Sequence, residues 1–233
     1  MKSMPTNEKI NDSAERVVLA TIKLLADEGP TAMKVREVAA ASGLSTMVVY
    51  HHFGGIAELI QAVIDHGFRL LDSAFAALPH TDDPVRDLLI IGLECRRQAR
   101  ENPYLYDLMF GLSTRATYRP LEESGERLSG QSPAFQDAFR HVLDGCTRVV
   151  ASGRLKKCEP DVLAAQLWTI VHGFITLELA DHFVGFSDPV SQVFLPIGVN
   201  MYVGLGDTCK RASASHRLVQ ESEENRTVPQ ARV

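Results

Sequence analysis

The chain has little of what zinc proteins, secreted proteins and polycation-type nucleic-acid binders are built from. Its 233 residues hold four cysteines, Cys95, Cys146, Cys158 and Cys209. They are scattered without a C-x-x-C spacing, which points to neither a zinc site nor a disulfide framework and fits a reduced cytosol. Positive charge is not in surplus either: the net charge is -5, and the first sixty residues carry six Lys or Arg against seven Asp or Glu. Attachment to nucleic acid by bulk electrostatics is therefore not expected. The opening MKSMPTNEKI has no apolar core and does not read as a signal peptide. The most apolar run, VLAAQLWTIVHGFITLELA from Val162, is interrupted by Gln166, His172 and Glu178, each costly in hydrocarbon, so it reads as a buried helix and no membrane partner is expected. No phosphate loop, repeat, heptad run or nucleophile-base-orienter set can be assembled by spacing. Neither a catalytic residue nor a metal or cofactor is expected, since Glu178 and His182, at i, i+4, lack a third ligand.

What the chain does have is the stretch VREVAAASGLSTMVVYHHF, from Val35 to Phe53. Val35, Val38 and Ala39 recur at helical spacing, the small Ala39, Ala40 and Ala41 let a second helix approach, and Gly43 supplies a turn. Ser45 stands where its hydroxyl can cap a second helix, and Leu44 can staple that helix against Val49. At roughly 100° per residue, Val49 and Phe53 face inward while Met47 and His51 point away, flanked by Val48 and Tyr50, with Thr46 at the helix start. Two short helices about a glycine turn make a DNA-reading unit, and a dimer offering two of them needs only a few phosphate contacts per half-site.

The stretch resembles the helix-turn-helix of the TetR family of transcriptional regulators through Val38, Ala39, Ser42, Gly43, Leu44, Ser45, Val49, Tyr50, His52 and Phe53. The resemblance implies an all-α fold: a three-helix helix-turn-helix domain at residues 1–54, then an α-helical bundle at 55–206 for effector binding and dimerisation. It also implies roles. Tyr50, His51 and Ser45 would contact the DNA backbone, Thr46, Met47 and Val48 would face base edges, and Lys34 could reach a phosphate. Arg36 is the side chain able to make a bidentate contact to guanine. The family usually places a Lys three residues after the Phe, where this chain has Ile56. The implied protein is a cytoplasmic homodimer on a palindromic double-stranded operator, most simply a repressor released by a small apolar effector.

Before this stretch, Asp12 followed by Glu15 reads as the start of a helix bearing Val18, Ile22 and Leu25 and ending at Gly29-Pro30. After it, Gly54 and Gly55 break the chain. A long helix with Leu59, Val63, Phe68, Leu71 and Phe75 follows, and Pro84 opens another with Leu88, Ile91 and Cys95 on one face. Arg96, Arg97 and Arg100 read as a solvated face near its end. Tyr104, Tyr106, Met109 and Phe110 form a short aromatic segment that is either core or, for Tyr104, Met109 and Phe110, effector lining. From Ser113 to Ser132 periodicity is lost and a mobile connection is expected, and Pro133 then opens a helix with Phe135, Phe139, Val142 and Val149 inward.

The helix from Pro160 sorts into stripes: Leu163, Leu167, Ile170, Phe174 and Leu177 are broadly apolar, and Ala165, Thr169, Gly173, Thr176 and Ala180 form a small row that lets helices cross closely. A second helix, from Pro189 to about Gly206, is expected to bend at Pro196. Helices at about 161–183 and 189–206, doubled by a two-fold axis, would make a four-helix interface. Trp168, His172 and Gly173 also match a W-x-x-x-H-G pattern of one C-terminal class within the TetR family. His172 then serves as a structural histidine, an effector contact beside Trp168 or a metal ligand. Two rival readings remain at this stage: an all-α enzyme or carrier with a buried site near His172, and a constitutive DNA binder without effector. From Asp207 the sequence turns polar, and 207–233 reads as a disordered tail.

Overall fold

The computed structural model of the chain describes residues 7–110, 132–156 and 158–227, and the regular elements among them are helices. The connection read between Ser113 and Ser132 falls almost wholly outside the described residues.

Helix α1, Asn7–Glu28, starts earlier than the Asp12 capping signal suggests, since Glu8 and Lys9 are themselves good helix formers. Val17, Val18, Thr21, Leu24 and Leu25 form its buried face. Gly29, at φ 79°, and Pro30 stop it. Next come α2, Val35–Ser42, and α3, Thr46–Phe53, separated by Gly43 in the left-handed region at φ 66°. Side chains with a Cβ are strained there, so a glycine closes this turn at least cost. After Gly54 the chain enters α4, Ile56–Ala76, whose five expected apolar positions are all buried.

Two further helices follow, α5, Pro84–Glu101, and α6, Pro103–Phe110. Asn102 separates them and caps the second, its Oδ1 accepting from the Leu105 amide at 3.0 Å. Beyond the undescribed stretch lie α7, Pro133–Ala151, and α8, Pro160–Leu179. A π-helical turn, Val190–Phe194, leads into α9, Leu195–Gly204, in place of the simple bend expected at Pro196. Proline has no amide hydrogen to give to Gln192, and the wide turn sets in just before it, with Leu195 donating to the Val190 carbonyl.

The chain divides into two compact units. The first takes in residues 1–72 and 101–138, the second residues 73–100 and 139–233. The first is thus larger than the 1–54 head expected from the glycine break, because α6 packs on α1. In the second unit, Val85, Leu88, Val142, Cys146, Val149, Leu163, Ala164, Tyr202 and Ala212 form one buried cluster, and Leu89, Leu93, Phe174, Phe194, Leu195 and Val219 another.

Two expectations fail in this second unit. The polar end of α5 is solvated at Arg97 and Arg100 but not at Arg96, which makes a two-pronged ion pair with Glu178 at 2.6 and 2.7 Å, both side chains largely buried. The disordered tail is also wrong for Cys209–Thr227, which is a helix, α10, with Ala212, Ser215, His216 and Val219 buried. Its inward stripe is narrow and half polar, so the composition hides it. Asp207, completely buried just before α10, anchors it through Arg154, at 2.6 Å to Nη2 and 2.9 Å to Nε. Arg154 Nη1 in turn reaches Asp83 at 2.7 Å, and the Ser215 hydroxyl donates to Asp83 at 2.6 Å. His216 fits against α9 only because position 198 is glycine: a Cβ there would stand 2.4 Å from its Nε2.

Candidate nucleic-acid interface

Helix α3 is eight residues long and buries only Val49 completely. Everything it turns outward is therefore offered to a partner. Met47 is 77% exposed and Tyr50 54%, and Thr46 and His51 are also exposed. Val48 and Phe53 are half-buried, so of the five residues read as outward four are fully so. Ser45 occupies the N-cap position in extended conformation, but its hydroxyl makes no capping bond; instead its carbonyl accepts from Val48 at 3.0 Å and Val49 at 3.4 Å. The expected side-chain cap is thus not made, and the Ser45 side chain stays exposed beside Thr46. Lys34 holds the corresponding place before α2, extended and exposed, and Arg36 is exposed in the first turn of that helix.

Contacts from α1 that no local sequence signal reveals hold this pair of helices. The Arg16 guanidinium donates to the Ser42 carbonyl at 3.0 Å, and Ser13 Oγ lies 2.7 Å from His52 Nε2. Each links residues 26 or more apart in the chain.

The five residues read as effector lining fall in both units. Three belong to the first. Tyr104 is 43% exposed with its ring over Gly29, whereas Met109 is buried in the groove left by Gly67, where a Cβ would stand 2.5 Å from its sulfur. Phe110 meets Phe68 edge to face at 5.7 Å and Tyr106 at 4.7 Å, so Met109 is a core residue of that unit and the half-buried Phe110 packs at its edge. Trp168 and His172 belong to the second unit, their rings 4.2 Å apart, with Phe139 edge-on to the indole at 5.3 Å.

Burial pushes the His172 imidazole down to about 3 and the Cys95 and Cys146 thiols up to about 12. These thiols are inert at neutral pH and the imidazole is uncharged. Because His172 takes up its proton far more readily unfolded than folded, its contribution to stability is fully present above about pH 6.5 and declines as pH falls toward 3. Over that range the melting temperature of the wild type should therefore fall more steeply than that of His172→Phe. Parallel curves would show that His172 contributes nothing to acid sensitivity.

A glycine-turned helix pair presenting exposed side chains from its second helix, on an all-helical scaffold, defines the helix-turn-helix class of DNA-binding proteins. Comparison with known proteins agrees. Residues 17–63 match the model for bacterial regulatory proteins of the tetR family, and residues 88–195 match a tetracyclin repressor-like C-terminal domain. The chain belongs to the TetR family of transcriptional regulators. The matched models and the relative below are those of transcriptional regulators, so the rival enzyme reading finds no support among them.

An HTH-type transcriptional repressor of Mycobacterium tuberculosis is 32% identical over 83 residues, 36% of this chain; the chain spans only 41% of that relative. Among solved structures, a protein of unknown function from Rhodococcus sp. RHA1 superposes with a TM-score of 0.65 at 18% identity, over 84% of this chain and 96% of its own. RolR in complex with resorcinol does so at 0.61 and 16% identity, over 90% of this chain and 95% of its own. At these identities the two structures speak for the fold alone.

Proposed function

We propose that two copies of this chain bind a palindromic double-stranded DNA operator in the cytoplasm, and that a small uncharged effector releases them so that transcription resumes. The observation that carries the DNA reading is the outward presentation of Thr46, Met47, Tyr50 and His51 from a helix anchored through Val49. Tyr50, His51, Ser45 and Lys34 serve the phosphates. Thr46, Met47 and Val48 serve base edges, where Met47 and Val48 suit thymine methyl groups. Ile56 gives no phosphate contact where the family usually has a Lys, so the salt dependence of binding should be moderate.

Arg36→Ala should cost about 1 to 3 kcal/mol and relax selection at one operator position per half-site. Selection of duplexes from a randomised library by wild type and variant measures this. An equal loss on every sequence would make Arg36 a phosphate clamp instead.

Dimerisation through α8 and the segment 189–206 is supported by what α8 leaves uncovered. Only 22% of its most apolar window is buried within the chain. Val162, Leu177, Ile197 and Val203 are each more than a third exposed, and the small residues Ala165, Thr169, Gly173 and Ala180 are exposed too. An isologous pairing would cover this face and hold two reading helices roughly 34 to 36 Å apart, one DNA turn.

For the effector, Trp168 and His172 in the second unit are the proposed contacts; Tyr104, Met109 and Phe110 are proposed separately as a lining within the first unit. A neutral His172 beside an indole favours an uncharged aromatic molecule. The resorcinol complex of RolR, similar in fold, is consistent with that chemistry. Release requires only that the ligand prefer a dimer with a different helix spacing, and about 1 to 3 kcal/mol of coupling changes affinity about 5- to 150-fold. A mobility-shift titration on the selected duplex, with a library of small phenols and other neutral aromatics, tests the whole reading. Binding that no ligand weakens would leave a constitutive DNA binder.

A further inference from the structure

The reading helix carries an ambiguity in its own sequence. In TMVVYHHF the buried Val49 is preceded by an identical residue, Val48, and the inward His52 by an identical residue, His51. Rotating α3 about its axis by one residue, about 100°, would bring Val48 to the place of Val49 and His51 to that of His52, keeping a valine buried while His52 takes the place of the half-buried Phe53. It would also change the outward face, since Ser45, Thr46, Val49 and Tyr50 would stand where Thr46, Met47, Tyr50 and His51 stand now. Since Val49 is the only residue of α3 fully buried, burial alone is a weak guarantee of which face looks out.

The polar contacts from α1 are not indifferent to that rotation. Ser13 Oγ and His52 Nε2, 2.7 Å apart, join the second turn of α1 to the last turn of α3. One turn further along α1, Arg16 holds the Ser42 carbonyl at 3.0 Å, on the last residue of α2. That carbonyl stands at a helix end where partners within the helix run out, so a guanidinium is well placed there. Ser13 and Arg16 are three apart and share one face of α1.

We infer that Ser13 is a positioning residue for DNA reading: its hydrogen bond to His52 selects one of two rotations of α3 that would each bury a valine, while Arg16 fixes the turn about which α3 would swing. This rests on the DNA-reading proposal for its consequence but not for its geometry. His51 is exposed and His52 half-buried because the tether holds.

The test compares wild type, Ser13→Ala and His52→Gln, whose amide reaches the same place as Nε2. Histidine acylation by diethylpyrocarbonate, mapped by tandem mass spectrometry, reads the rotation directly. Wild type should modify His51 well ahead of His52, and Ser13→Ala should bring the two rates together with helicity unchanged. On the duplex selected by wild type, against a scrambled duplex of equal length, Ser13→Ala should lose about tenfold in discrimination, the equivalent of one good base contact. His52→Gln should keep most of it.

An unchanged His51 to His52 ratio in Ser13→Ala would overturn the inference. So would an equal loss of affinity for both duplexes. If wild type enriches no duplex while the ratio still shifts, the rotational tether stands and the DNA reading is what fails.

Discussion

Arg154→Ala should lower the melting temperature by roughly 6 to 20 °C. That range combines about 3 to 5 kcal/mol for removing one partner of a buried ion pair with roughly 2 to 4 °C per kcal/mol in a chain of this size. Arg154 retains 7% of its side-chain exposure and Asp207 none, so deleting the guanidinium leaves a carboxylate sealed from water with only the more distant Arg211, at 3.7 Å, to offset its charge. The same guanidinium holds Asp83, 28% exposed, ahead of α5, while Ser215 of α10 reaches both groups. One side chain thereby ties together the turn before α5, the turn after α7 and the start of α10.

Ser215→Ala removes a neutral donor and should cost far less, about 1 kcal/mol. Differential scanning calorimetry of both variants decides the matter. If Arg154→Ala melts within about 2 °C of wild type, the expected cost per kcal/mol is not reached, and the cluster is a solvated surface arrangement that does not anchor α10. Amide exchange in α10 should rise together with the loss of stability, because the helix depends on this anchor for much of its attachment.

Gly173→Arg is expected to dissociate the proposed dimer and lower affinity for the proposed operator by about 10² to 10⁴-fold, the range by which linked binding exceeds single-site binding. Gly173 lies on the exposed small row of α8, and a Cβ built there meets nothing within 4 Å in the chain itself. The protomer therefore accepts the arginine, whereas a two-fold partner approaching over small residues does not, and two like charges would face each other across the axis. Sedimentation equilibrium should report a monomer with full helicity by circular dichroism. If Gly173→Arg instead dimerises with the dissociation constant of the wild type, the interface lies away from α8 altogether.

The reading unit was legible in the sequence because it is local. Gly43, Val49 and the outward Met47 and His51 all follow from a period of 3.6 residues and one turn within a single short stretch. What sequence could not supply is pairing at a distance. Arg96 and Glu178 are 82 residues apart, Arg154 and Asp207 are 53 apart, and Ser13 and His52 are 39 apart. Each was visible only as a charged or polar residue without its distant partner, so Arg96 read as solvated and the Asp207 region as disordered.

The compact units divide elsewhere than at Gly54 for a related reason: a glycine break marks where a helix ends, not where packing ends, and α6 returns to α1 from well beyond it in the chain. Ser45 shows the opposite failure, a correct position with the wrong bonding, since its carbonyl took the role expected of its hydroxyl. The outward exposure read for α3 therefore holds at four of its five residues, whereas the surroundings of the residues read as effector lining could not be read from the sequence.

The wide turn at Val190–Phe194 has a bearing on how this chain tolerates changes of length. A π-turn accommodates one residue more than an α-turn over a similar rise, and here it brings Phe194 against Gly92, where a Cβ would stand 3.3 Å from the ring. Removing a single residue from this segment can close an ordinary turn and leave Val199 and Tyr202 aimed as before. The same deletion in α9 ahead of Tyr202 would turn every later side chain of that helix by about 100° and take Tyr202 out of the core. In this part of the molecule, slack in length is confined to five residues.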